Sequence, residues 1–328
     1  MLRAVVILST AIVSLALMSL CLGDLPLSFA EVLGALFQRS EGNEAVSLVV
    51  NTVRLPRILL GVLVGASLAV AGALAQTIMR NPLAEPGLIG INGGAACGAM
   101  IVLTLLPAAG MGVMGMAAFA GGLAMAVAIY VLAWRGGANP LRIILVGIGL
   151  SAVSTTLISF VAVFSDVATV QRAQVWLSRS IYQASWEQIG ALGLWLSLLG
   201  PLILMASHQL DTIAFDDETA RGVGQNVERT RLLLMLACVL LSAAAVCVSG
   251  LIAFVGLVAP HIARRLVGQA HIRLLPTAAL VGAALLLAAD LAGRTLIAPA
   301  QLPAGLVAAL IGAPAFGWLF WRNRNAEG

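Results

Sequence analysis

Lysine is absent from this chain of 328 residues, so all 18 of its basic side chains are arginine. Without lysine there is no phosphate-binding loop of the GxxxxGK type, and no glycine-rich equivalent stands out, so the chain does not hydrolyse ATP by itself. Charge of either sign is scarce. Charged residues make up 10% of the sequence and hydrophobic ones 61%, against about 25% charged in ordinary soluble domains, and no soluble fold hides that much apolar surface from water. The composition is that of an integral membrane protein. Asp290 is the one clear acid inside an apolar run, whereas ion-driven transporters and pumps usually need buried carboxylates or histidines to carry the coupling ion. It stands four residues before Arg294, a helical spacing at which the two can pair; a structural ion pair is the expectation and a proton relay the alternative. The four cysteines, Cys21, Cys97, Cys238 and Cys247, lie in apolar runs without metal-ligand spacing and read as core residues. His208, His261 and His271 are scattered, with no HExxH pattern and no serine or cysteine nucleophile beside them, which leaves a membrane enzyme without a catalytic cluster.

A transmembrane helix takes about 20 residues, and an apolar chain of this length with short connections has room for roughly ten. The chain is organised around residues 54–96, which open with RLPR and continue as an uncharged run. Gly61, Gly65, Ala69 and Gly72 follow at spacings of four, four and three, so one helical face is open to close approach by another backbone. Pro82, Pro86, Gly87 and Gly90 then break the helix in a polar stretch expected to be buried in protein.

Before this run, Met1 to Leu22 reads as a first membrane helix, with a cleaved signal peptide as the alternative. Residues 23–53, with Asp24, Glu31, Glu41 and Glu44, read as an outer loop bearing a short amphipathic helix. After it come apolar spans at about 88–106, 111–133, 141–164 and 186–206. The polar insert 165–187 carries Trp176, Tyr182 and Trp186, which the sequence assigns to the membrane surface.

The run 232–260 would measure about 43 Å as one helix, well over the hydrocarbon thickness of about 30 Å. Gly250 offers a break, and two short crossings keep Arg229 and Arg231 on the side of Arg264, Arg265 and Arg273. Spans at about 274–297 and 303–321 complete the set. The expectation is an all-α polytopic membrane protein of about ten transmembrane helices, one domain over 1–328, with both termini cytoplasmic. That orientation places twelve arginines on the cytoplasmic side and six outside, as the positive-inside rule asks. It also explains the net charge of +4 by topology rather than by nucleic acid. A transport subunit driven by a separate motor is what these features leave.

Several ordered stretches carry a family resemblance: RLPR at 54–57, RNPLAEPGLIG at 80–90, GLIAFVGLVAPHIAR at 250–264, RLLP at 273–276, AADLAGR at 288–294 and LPAGLVAALIGAPAF at 302–316. Together they span nearly the whole chain and resemble the permeases of bacterial ABC importers for iron chelates, haem and cobalamin. The resemblance implies an inner-membrane subunit that pairs with a second permease, as a homo- or heterodimer. It also implies two cytoplasmic ATPase subunits, which use ATP and Mg, and a periplasmic binding protein that delivers the cargo. No cofactor or metal is expected on this chain, and an iron-siderophore complex is the cargo expected first. An ion-coupled secondary transporter is the rival of a different class.

By the same resemblance, Arg54, Arg57 and Arg294 receive acidic residues of the binding protein. Arginine suits this because its planar fork holds a carboxylate bidentately and keeps its charge; lipid-phosphate anchoring is the bland alternative. Residues 207–231 match the cytoplasmic loop that seats in a cleft of the ATPase, with Asp216, Asp217, Glu218, Ala220 and Gly224 as coupling residues, or else a merely solvated face. Three positions depart from the family pattern: Asp216 replaces a usual glycine, Gln301 a usual glutamate, and Arg179 interrupts a WLxGS-like stretch.

Overall fold

The computed structural model describes residues 1–23, 25–37, 44–106, 108–135, 137, 139–177, 181–298 and 300–324. Asp24, Arg39, Glu41, Arg179 and the last four residues lie outside the described residues. Among the described residues every element is helical, as expected where hydrocarbon offers the backbone no hydrogen-bond partner of its own. Helix α1 is Leu2–Cys21 and the short α2 is Phe29–Leu36, opened by a capping box between Ser28 and Glu31. Helix α3, Glu44–Leu48, runs through a π turn, Val49–Arg54, into α4, Leu55–Ile78. The π turn has a local cause: Pro56 has no N–H to offer the carbonyl of Thr52, so the ordinary ladder cannot close there.

A 3-10 turn at Pro86–Ile89 and a left-handed Gly90 lead into α5, Ile91–Leu105. Then follow α6 (Met111–Ala133), α7 (Pro140–Phe164), α8 (Val167–Leu177), α9 (Trp186–Met205), α10 (Ser207–Ile213) and α11 (Asp217–Gly222). The last four are α12 (Val227–Ser249), α13 (Val255–Val267), α14 (His271–Thr295) and α15 (Ala304–Arg324). Among the described residues, seven continuous helical stretches are long and apolar enough to cross a membrane: α1, α3–α4, α6, α7, α9, α12 and α14. Two further stretches, α5 and residues Ala304–Pro314 of α15, are apolar but shorter; the sequence led to an expectation of about ten.

Helix α4 is the axis of the bundle. Its span, continuous with α3, is 83% buried, whereas α1, α7 and α9 are less than a fifth buried and form the rim. The small residues of α4 meet different neighbours along its length. Gly65 lies against the backbone of Gly282 and Ala283 in α14, so close that an added Cβ would stand 2.4 Å from the Gly282 carbonyl oxygen. One helix further round, Gly72 faces Gly256 of α13, where the same Cβ would fall 1.8 Å from a carbonyl oxygen. Gly61 instead meets the side chains of Ile181 and Leu287. Gly65 and Gly72 thus meet the backbones of two different helices, and Gly61 meets side chains only.

The run 232–260 is divided at Gly250 (φ 72°, ψ −163°), but not into two equal short crossings. Helix α12 begins at Val227 and extends 23 residues, about 34 Å, a full crossing by itself. The return consists of the non-helical residues 250–254 and the 13-residue α13, only about 20 Å long. Its N-cap, Phe254, sits in the left-handed region (φ 68°) and donates its N–H to Glu85 Oε1 at 2.9 Å. The two helix breaks, 81–90 and 250–254, therefore meet, and a carboxylate from one caps the helix that leaves the other. Basic residues still gather at one end: Arg80, Arg264 and Arg265 line a common cavity there.

One surface assignment fails. Trp176 is 1% exposed, packed with Met100, Leu103 and Met114 inside the bundle, because the insert folds into α8 and turns that face inward. Tyr182 and Trp186 are exposed, as the interfacial reading asks.

Candidate functional site

Three arginines converge where α4 begins and α14 ends. A cavity of about 460 Å³ is lined there by Arg54, Arg57, Arg294, Tyr182 and Gln301. Arg57 grips Asp290 through two nitrogens, Nε at 3.1 Å from each carboxylate oxygen and Nη2 at 2.9 Å from Oδ1. Its Nη1 donates to Gln301 Oε1 at 3.2 Å, and its guanidinium lies 5.2 Å from the Tyr182 ring centroid, within cation–π range. Arg54 donates to the carbonyls of Leu20 and Leu25, and Arg294 to the carbonyl and hydroxyl of Ser19, so both tie the end of α1 to the cluster.

The expected Asp290–Arg294 pairing is present only at 3.9 Å, beyond hydrogen-bond reach. Asp290's main partner comes from α4, 233 positions away in the sequence, and an i, i+4 reading could not have found it. Gln301, recorded as a departure from a usual glutamate, is the other acceptor for Arg57 and adds no negative charge to the cavity.

The opposite end carries the charged segment. Asp216 caps α11: Oδ1 accepts from the backbone N–H of Thr219 and Oδ2 from its hydroxyl, both at 2.7 Å. Those two bonds hold its carboxyl below the usual carboxylate range. The departure from glycine thus has a physical role, since aspartate is among the strongest N-caps. Ala220 is fully buried with Ile213 and Val227, and Gly224 ends the turn at φ 84°, a conformation that glycine adopts without cost.

Asp217 is half-buried. Burial, the largest single influence, pushes its carboxyl up, but hydrogen bonds from Arg231 and Arg80 outweigh it and hold the group low. The Arg231 contact is 2.8 Å, with Arg231 itself fully buried in α12. Around this framework Glu218 is exposed, and so are Phe215 (72%) and Val223 (70%). The two apolar residues were not singled out in the sequence, where each looks like an ordinary helix-end hydrophobe.

A second feature escaped the sequence reading. His271, at the start of α14, meets Asp211 of α10 through Nδ1 (2.6 Å) and its backbone N–H (2.9 Å), and meets Thr77 of α4 through Nε2 (2.7 Å). Gln76 bridges α4 to α13 by donating to the Leu257 carbonyl at 3.1 Å and accepting from Arg264. Gln76, Thr77, Asp211, Arg264 and His271 line a cavity of about 780 Å³ with Arg80 and His261. The signal in the sequence was weak: a histidine two residues before RLLP and a Gln-Thr pair ending an apolar run. Among the described residues no group of three or more His, Cys, Asp or Glu is arranged to hold a metal ion.

Comparison with known proteins places this architecture. The model of the FecCD transport family matches residues 11–322. The achromobactin transport system permease protein CbrC of Dickeya dadantii is 42% identical over 308 residues, covering 94% of this chain and 88% of its own. The hemin transport system permease protein HmuU of Yersinia pestis is 40% identical over 321 residues, covering 96% and 94%. Among solved structures, an inward-facing metal-chelate type ABC transporter superposes with a TM-score of 0.88 at 30% identity, covering 98% of this chain and all of that one.

Proposed function

The chain belongs to the FecCD transport family, and from that premise we propose that it is the permease of an importer for a ferric siderophore. A binding protein loads it at the Arg54 end, and ATPases drive it from the α11 end. The relatives named for achromobactin and for hemin support an iron chelate as cargo. The chain acts as one membrane unit, 1–328, in the bacterial inner membrane with both termini cytoplasmic. Two permease subunits enclose the path, and two ATPase subunits supply the ATP and Mg chemistry that this chain lacks.

One observation carries the reading: the same two helices hold both ends. Helix α4 with the π turn that leads into it contributes Arg54 and Arg57 at one end and Thr77 at the other; α14 contributes Asp290 and Arg294 at the first and His271 at the second. Between these locks the two helices touch backbone to backbone at Gly65 and Gly282. Asp211 connects His271 to α10, which leads directly into α11. A force applied to the 207–231 segment thus reaches the arginine cluster through bonded, close-packed elements. Alternating access follows if two packings of the helices lie within a few kcal/mol, so that ATPase closure selects one of them.

Within the arginine cluster, Arg54 and Arg294 receive acidic side chains of the binding protein, while Arg57, held by Asp290, fixes the geometry of the other two. At the far end, Asp217, Ala220 and Gly224 shape the coupling helix, Asp216 caps it, and Glu218 with the exposed Phe215 and Val223 meets the ATPase. Charge reversal, Arg54→Glu or Arg294→Glu, is expected to abolish stimulation of ATPase activity by the binding protein in reconstituted importer; unchanged stimulation would refute the docking role. Uptake of labelled ferric siderophore in a permease-deleted strain should require both this chain and an active ATPase partner. Gradient-driven uptake that survives ATPase inactivation would overturn the reading in favour of a secondary transporter.

A further inference from the structure

The cavity of about 780 Å³ at the α11 end holds more positive charge than its own acids answer. Two of its basic groups are paired: Arg80 donates to Asp217 and to the Ile213 carbonyl, and His271 meets Asp211. Three others are not. His261, Arg264 and Arg265 stand at spacings of three and four on one face of α13, and among the described residues no carboxylate pairs with any of them. Arg264 is half-buried and donates to the neutral Gln76 Oε1. Nε2 of His261 is buried and finds no hydrogen-bond partner among the described residues. A positive-inside bias explains arginines at this end of the bundle, but arginines in open water satisfy it equally well. A guanidinium drawn partly out of water calls for a counter-charge.

The cavity is continuous with the coupling segment. Ala214 and Phe215, between α10 and α11, line it as well, and Phe215 is exposed. A body seated on α11 and Phe215 therefore also covers the cavity, and the missing negative charge can come from that body.

We propose that the cavity is a second docking point for the ATPase, shaped for an acidic segment of it. One carboxylate accepts from Arg264 and from Nε2–H of His261, and a second accepts from Arg265, which is exposed at the rim. The inference rests on the ATPase docking proposed above. It adds a second anchor to α11, which has only six residues, and two separated anchors fix an orientation that one short helix does not. The anchor is also mechanically connected, because Gln76 ties Arg264 to α4 and accepts from it while donating to the Leu257 carbonyl of α13.

Depth assigns different kinetic roles to the two arginines. Loss of a buried, hydrogen-bonded charge acts mainly on dissociation, whereas loss of a rim charge acts on association and its salt dependence. The test measures binding of the purified ATPase partner to full-length permease in nanodiscs by biolayer interferometry, at low and at physiological salt. Arg264→Gln should speed dissociation about tenfold, the loss of one charge-assisted contact. Arg265→Gln should slow association and flatten its salt dependence, and Arg265→Lys, which keeps the charge, should stay near wild type. Thermal melting of each variant shows that the fold is kept. Val223→Asp strikes the coupling helix outside the cavity and serves as the reference. Wild-type dissociation in Arg264→Gln, or wild-type salt dependence in Arg265→Gln, overturns the proposal; if Val223→Asp still weakens binding, the ATPase docking stands without it. Absence of binding by wild type overturns both. Thermal stabilisation of wild type by inorganic phosphate that Arg264→Gln loses, with ATPase binding indifferent to phosphate, also overturns it, because a free anion is then the occupant.

Discussion

Asp290→Asn should cost the permease about 3–5 kcal/mol of stability, and that cost should depend on Arg57 rather than on Arg294. Asp290 is 1% exposed and Arg57 7%, so removing the carboxylate leaves a guanidinium out of water with its main counter-charge gone. Distance alone does not distinguish the two arginines. The nearest contacts are 2.9 Å for Arg57 and 3.9 Å for Arg294, and by Coulomb's law the extra ångström weakens the attraction by only about a quarter. Hydrogen bonding makes the difference, because only Arg57 lies within its reach. In an Arg57→Met background the same Asp290→Asn change should therefore be nearly neutral, since replacing both partners of a buried pair removes the penalty of the stranded charge. In an Arg294→Met background it should keep most of its cost. The assay is a double-mutant cycle on denaturant unfolding of the detergent-solubilised permease, where contacting partners show coupling of about 0.5–3 kcal/mol. Larger coupling between Asp290 and Arg294 than between Asp290 and Arg57 would refute the assignment.

Substitution along α4 should separate its glycines. Gly72→Ala, which drives a methyl group into the Gly256 backbone, should cost at least the roughly 1–3 kcal/mol of an overpacked core and lower the yield of folded permease. Gly61→Ala meets only side-chain ends and should be close to wild type in the same expression and melting assay. At the cap of α11, Asp216→Ala should destabilise by about 0.5–2 kcal/mol and Asp216→Gly by a few tenths, read as loss of thermal stability; equal effects would argue against capping. Asp217 has a lowered folded-state pKa, so its contribution is present above the unfolded-state value near pH 4 and is lost as pH falls through the folded value. Association of the permease with the proposed ATPase partner should weaken at pH below about 4 in wild type more than in Asp217→Asn, measured by co-purification of crosslinked complex.

What was legible in the sequence is what local chemistry decides. Gly90 and Gly250 read as breaks because both adopt positive φ, and the apolar runs read as helices because hydrocarbon leaves the backbone no alternative. The meeting of Arg54, Arg57 and Arg294 was accessible only through their motifs. Their spatial partners were not, because Asp290 and Arg57 lie 233 residues apart and nothing local marks the pairing. Trp176 defeated the interfacial reading for a related reason: an aromatic residue in a polar insert fits the membrane surface and a buried seat equally well until α8 shows which way it faces. The capping role of Asp216 could have been found, since Asp followed by acidic residues in a first turn, Asp217 and Glu218, is a recognisable helix start. Its difference from the family pattern drew attention to contacts instead.

The backbone contact at Gly65 and Gly282, with a bonded lock at either end, also limits what kind of motion α4 and α14 can share. Sliding one past the other would break the Arg57–Asp290 grip, the Thr77–His271 bond and the glycine contact together. The pair is left free to pivot. Helix α4 is 24 residues long, about 36 Å, and over that lever arm a rotation of about 5° carries the far end some 3 Å. A displacement of bond-length scale at α10 would thus arrive at the arginine cluster as a change in the width of its opening, with gear ratio set by where the pivot lies and not by any bond that must break on the way.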